Sequence, residues 1–167
     1  YHMYGRNAAR MLAVFEEAFG NDDRVISVLG AFAAWAEPLR YALEEIERLG
    51  AIDVIETIAV APYFGIDMEN PNDPLLQAIL AAMPTIQEAE YGPIFTALED
   101  RALSVFRDDN ETGQSMIQNR ALTEQVGVPL TTYEAGQHLV NWFWEQPAVA
   151  QQLSGVMAQI NSRPEMY

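Results

Sequence analysis

Ala8, Met11, Leu12, Phe15, Ala18 and Phe19 recur at the spacing of one helical face, and Gly20 follows as a stop. The first predicted element is an amphipathic helix. Beyond Asn21-Asp22-Asp23, the run Val25-Ile26-Ser27-Val28-Leu29 is short, β-branched and closed by Gly30, which predicts a buried strand. Pro38 opens a second helix whose apolar positions are Leu39, Ala42, Leu43, Ile46 and Leu49, ended by Gly50. A second strand is predicted over Thr57 to Pro62. Helical spacing resumes at Leu75, Leu76, Ile79, Leu80 and Met83. Two further helices are expected after Pro84, one short and one from about Pro93 to Arg107 carrying Ile94, Phe95, Leu98, Val105 and Phe106 inward. A helix from Glu111 to Val126 leads through Gly127 into a third strand, Val128 to Tyr133. The last helix starts at Pro147 and is set by Val149, Leu153, Val156 and Ile160.

Strands alternate with helices, no hairpin signal is present, and the second strand lies in a nearly continuous apolar run. That pattern is the signature of a parallel sheet built from right-handed βαβ units, so the fold class is α/β and helix-rich. The chain reads as a single domain over residues 1–167, with a helical insertion at about 67–107.

Composition narrows the function classes. Nine basic residues, all Arg, stand against 24 acidic ones in 167 residues, a formal net charge of −15. A phosphate-tracking surface needs the opposite sign, so nucleic acid is not an expected partner. Cysteine is absent, which removes disulfides, thiolate catalysis and zinc–thiolate sites. No apolar run is long enough for a membrane helix, and Tyr1-His2-Met3-Tyr4 does not read as a signal peptide. Membrane partners are therefore not expected, and the compartment stays open. Serine-hydrolase elbows, Walker loops and dinucleotide fingerprints are missing. His2 and His138 have no partners at ligand spacing, so neither a metal nor a cofactor is expected. Asn110-Glu111-Thr112 matches a glycosylation acceptor, a pattern with meaning only in a secretory context.

In parallel β/α architectures the functional face is the C-terminal end of the strands, and Glu134 follows the third strand there. A carboxylate at that position either projects into the mouth of the sheet or caps the next element as a solvated acid.

Two segments sharpen the choice. Tyr133-Glu134-Ala135-Gly136-Gln137-His138-Leu139 and Ala59-Val60-Ala61-Pro62-Tyr63-Phe64-Gly65 together resemble segments of bacterial (β/α)8-barrel glycoside hydrolases of the clan A type. The resemblance implies that the two segments end the sixth and seventh barrel strands. It implies Glu134 as nucleophile, Tyr63 and Phe64 lining a sugar site, and Gln137 and His138 beside the carboxylate. Ala135 stands where such relatives usually have Gly. A full barrel takes about 250 residues, so the resemblance implies an incomplete barrel corresponding to the C-terminal half. The Asn-Glu pair that carries the general acid in the clan would then lie before Tyr1.

Retaining hydrolysis needs a second carboxyl group about 5 to 5.5 Å from the first. Glu56 precedes its strand and lies at the wrong end of the sheet. Asp67, Glu69, Glu88 and Glu90 follow the C-terminal end of that strand, and Glu88 and Glu90 are the candidate proton donors. Trp35 and Trp142, the latter within Trp142-Phe143-Trp144, are candidate sugar platforms, although such clusters more commonly fill cores. The expected function is hydrolysis of an O-glycosidic bond, the alternative a carbohydrate-binding or assembly piece without catalysis. A short parallel sheet with unguarded edges also predicts self-association, most simply as a homodimer.

Overall fold

The computed structural model describes residues 1–19, 25–66, 70, 72–82, 91–139 and 147–166. Contacts group the chain into two units. The first comprises Tyr1–Pro62 with Ser104–Ala135, the second Tyr63–Leu103 with Gly136–Tyr167.

In the first unit, helix α1 (His2–Phe19) precedes strand β1 (Val28–Gly30), helix α2 (Glu37–Arg48), a 3-10 turn (Ile52–Val54) and strand β2 (Thr57–Val60). The second unit begins with strand β3 (Tyr63–Phe64), helix α3 (Pro74–Ala82) and helix α4 (Gly92–Ser104). The chain returns to the first unit with helix α5 (Glu111–Val126) and strand β4 (Leu130–Thr132). It closes in the second with strand β5 (Gly136–Gln137), helix α6 (Pro147–Asn161) and a 3-10 turn (Pro164–Met166).

Helix ends follow their local chemistry. Glu37 and Pro38 sit in the first turn of α2 and Arg48 in its last, as the dipole and the fixed proline φ favour. Asn110 caps α5 by accepting the Gly113 N–H at 3.0 Å, and Gly127 ends it in the left-handed conformation at φ 71°.

The sheet of the first unit is three-stranded and parallel in the order β1-β2-β4. Leu29 pairs with Ile58, and Ile58 with Leu130. Its apolar core joins Leu29, Leu39, Leu43, Ile46, Ile55, Ile58 and Val128 with Ala9 of α1. The fold is thus α/β and helix-rich with a small parallel sheet. The strands are shorter than the apolar runs suggest. Ile26 is 65% exposed, and the Ser27 N–H is taken by the Glu56 carboxylate at 2.6 Å, so β1 starts at Val28 and not at Val25. Beyond Val60 the central strand stops at Pro62, which has no N–H to donate, and a separate pairing begins at Tyr63.

The apolar stripe of α1 is not the face that the helix buries. Met11, Phe15 and Phe19 are 61%, 49% and 53% exposed, while Gly5 and Ala9 are buried. The reason is close approach: a Cβ on Gly5 would lie 2.4 Å from the Ala42 carbonyl oxygen of α2. The helix turns its smallest residues toward its neighbour, and most of its apolar stripe stays in solvent.

One sheet edge is less open than expected. Strand carbonyls alternate in direction, and that of Gly30, on the side of β1 away from β2, accepts the Tyr4 hydroxyl at 2.7 Å.

The second unit packs Leu75, Ile79 and Ala82 of α3, Ile94 and Leu98 of α4, and Leu153, Val156, Met157 and Ile160 of α6 around Tyr91. The predicted insertion helices α3 and α4 therefore share a core with the last helix. Asp73, fully buried, caps α3 through the Leu76 N–H at 2.9 Å and pairs with Arg101. Phe106, expected inward, is 73% exposed, because α4 ends at Ser104 and the helical phase that would bury it is lost. The short helix expected after Pro84 lies outside the described residues.

Candidate functional site

At the C-terminal end of the three-stranded sheet, Gly30 and Ala31 follow β1 and Tyr133 follows β4, held by its N–H on the Val60 carbonyl at 3.2 Å. Between them lies a cavity of about 380 Å³, walled by Tyr1, Tyr4, Phe32 and Tyr133 and floored by Pro38 and Leu39 of α2. Burial holds the Tyr4 phenol above its ordinary pKa, so it stays neutral and keeps its bond to Gly30. Trp35 stands beside this wall, half-exposed, with the Tyr1 ring edge-on at 5.3 Å and Phe32 at 6.2 Å. The result is a run of aromatic surfaces at a strand-end face, and none of the cavity's lining residues is charged. Glu134 follows Tyr133 directly and is exposed.

The remaining resemblance residues meet in the second unit. Strands β3 and β5 pair in parallel, Tyr63 opposite Gly136 and Phe64 opposite Gln137. The His138 N–H extends the pairing to the Phe64 carbonyl at 2.7 Å, and the His138 ring lies 5.2 Å from that of Tyr63. Gln137 accepts the Leu139 N–H at 2.8 Å and donates to Asn161 at 2.9 Å, which fixes its amide. Gly65 is needed here, since a Cβ would stand 2.7 Å from the His138 carbonyl oxygen. Phe64 also borders a hollow of about 410 Å³ with Phe95, Leu98 and Met166, carrying Glu99 and Glu165 at its rim.

Tyr63, Phe64, Gln137 and His138 thus form one cluster, and Trp35 belongs to the other aromatic group. Glu134 is part of the first unit. Glu88, Glu90 and Trp142 lie outside the described residues, as do Asp67 and Glu69. Glu56 is a structural carboxylate at the N-terminal end of the sheet, as its bond to Ser27 shows. Sequence reasoning missed Tyr1, Tyr4 and Phe32. Phe32 follows a strand and had a positional signal, whereas nothing local tells that α1 delivers two tyrosines to the mouth of the sheet.

Among the described residues no three His, Asp or Glu side chains gather as a metal site, and no helix is long and apolar enough to cross a membrane. Comparisons with family models, with curated proteins and with solved structures found no match to the chain.

Proposed function

We propose that the protein hydrolyses an O-glycosidic bond with Glu134 as nucleophile. The observation that carries this reading is the position of Glu134, at the C-terminal end of a parallel strand and directly after Tyr133, which lines an aromatic-walled cavity. Aromatic faces suit the apolar C–H faces of sugar rings. In the reaction the ionised Glu134 attacks the anomeric carbon, the leaving oxygen takes a proton from an acid, and water then hydrolyses the glycosyl ester. Trp35, which belongs to the same unit as Glu134, is a sugar contact in this proposal, in an incomplete barrel resembling the C-terminal half of a clan-A-type enzyme.

The purified chain should release the aryl alcohol from a panel of aryl α- and β-glycosides. Glu134→Gln should lower that rate by roughly a thousandfold or more, as removal of a nucleophile does. Equal rates in the two proteins would overturn the role of Glu134.

A second reading is favoured by one observation: the lining of the strand-end cavity contains no carboxylate. On that reading the protein binds carbohydrate without cleaving it. Sugar binding with no turnover, unchanged in Glu134→Gln, would select it.

A further inference from the structure

Helix α5 buries a row of polar side chains, beside Leu122 and Val126, which pack against the apolar core. Ser115, Asn119 and Thr123 are 5%, 0% and 2% exposed, while Ile117 on the same helix is 50% exposed. The three buried residues succeed one another every fourth position and so form one stripe. A buried polar side chain is informative because it is costly unless bonded.

Thr123 meets the requirement locally, its hydroxyl donating to the Arg120 carbonyl at 2.8 Å. Asn119 meets half of it: its Nδ2 donates at 2.8 Å to the carbonyl of Phe32, in the wall of the strand-end cavity. Its Oδ1, and the Oγ of Ser115, have no hydrogen-bond partner among the described residues. Turning the Asn119 amide over would not help, since its oxygen would then face the Phe32 carbonyl oxygen.

We propose that Ser115 and Asn119 form an internal binding site for one water molecule, and that this hydrated pair holds the Phe32 segment in place. Residues four apart on a helix have Cβ atoms about 5 to 6 Å from one another. Two hydrogen bonds through one water span up to about 5.6 Å, so a single molecule bridges them. The water donates to Asn119 Oδ1 and accepts from the Ser115 hydroxyl. The buried pair is then satisfied, and the Asn119 amide is fixed in the orientation that keeps its N–H on Phe32. Asn119 is here a positioning residue, acting on the cavity wall through the backbone. The inference stands apart from the glycosidase reading, because it concerns the wall whatever ligand the cavity takes.

Water-to-protein magnetisation transfer in the isotope-labelled chain tests it. A long-lived water should give cross-peaks to the Asn119 side-chain amide and the Ser115 backbone amide. Those peaks should vanish in Ser115→Ala and persist in Ser115→Thr, which keeps the hydroxyl. Ser115→Ala should also shift the amide resonances of Phe32 and Ala33. In unfolding experiments Ser115→Ala and Asn119→Ala should be non-additive by at least about threefold in the unfolding constant. Absence of a long-lived water in the wild-type chain overturns the site, a result that needs no variant to fold. Shifts confined to α5 in Ser115→Ala overturn the link to Phe32.

Discussion

Glu45 shows what a buried charge requires. Its side chain is 6% exposed, and it is held by Arg6 at 2.7 and 2.9 Å and by Arg48 at 2.7 Å. The hydrogen bonds from Arg48 and Arg6 lower its pKa from the ordinary 4.5 to about 2. A carboxylate whose folded pKa is depressed contributes stability above its unfolded pKa and loses it as pH falls toward the folded one. Glu45→Gln should therefore lower the urea midpoint at about pH 7, with the difference from wild type shrinking toward about pH 2.5. A difference independent of pH would contradict the ion-pair account. Gly5 offers a second residue-level test. Alanine would gain about 1 kcal/mol of helix propensity, but its Cβ would meet the Ala42 carbonyl oxygen at 2.4 Å, and overpacking typically costs about 1 to 3 kcal/mol. Gly5→Ala should lower the melting temperature, and a rise would mean that α1 and α2 do not touch there. At this scale the position of Glu134 was legible because a strand end can be read from one segment. The contact of Gly5 was not, because it depends on a helix that the sequence does not name as its neighbour.

Elements were legible where their ends carry chemistry. The C-terminal boundary of α5 was legible from Gly127, which takes the left-handed conformation where Cβ is penalised. Its buried face did not follow, since hydrophobic periodicity cannot find a stripe of Ser115, Asn119 and Thr123. Strands β3 and β5 have two residues each, too few to show any alternation. The α1 stripe of Met11, Phe15 and Phe19 was legible as apolar, but its exposure was not, because periodicity reports amphipathicity and does not say what covers it. The cap gives an element-level prediction. Asn110 also donates to the Ser104 carbonyl at 2.6 Å, so its amide is committed to the structure. Asn110→Ala should cost about 1 kcal/mol, the usual value of such a cap, seen as a lower denaturation midpoint with unchanged slope. An unchanged midpoint would show that the Gly113 N–H finds another acceptor.

For the whole molecule, the net charge of −15 and the exposed apolar side chains of α1 act in opposite directions. Met11, Phe15 and Phe19 lie in solvent, with Phe15 and Phe19 stacked at 6.1 Å, and a second copy packed on this stripe would cover them. Self-association should therefore strengthen with salt, which screens the repulsion between acidic copies, and Phe15→Glu should weaken it. Light scattering that gives 18.7 kDa at every salt and protein concentration would remove the dimer. The α/β class was legible at this scale because alternation of strands and helices survives errors in their ends. The grouping into two units was not, since it depends on α3 and α4 sharing a core with α6, far along the chain. Mass spectrometry after incubation with an activated 2-deoxy-2-fluoroglycoside bears on Glu134 itself, because such substrates form the glycosyl ester quickly and hydrolyse it slowly. One glycosyl mass should appear on the peptide containing Glu134. A label on another carboxylate, or turnover of aryl glycosides with no trapped ester, would contradict Glu134 as the nucleophile.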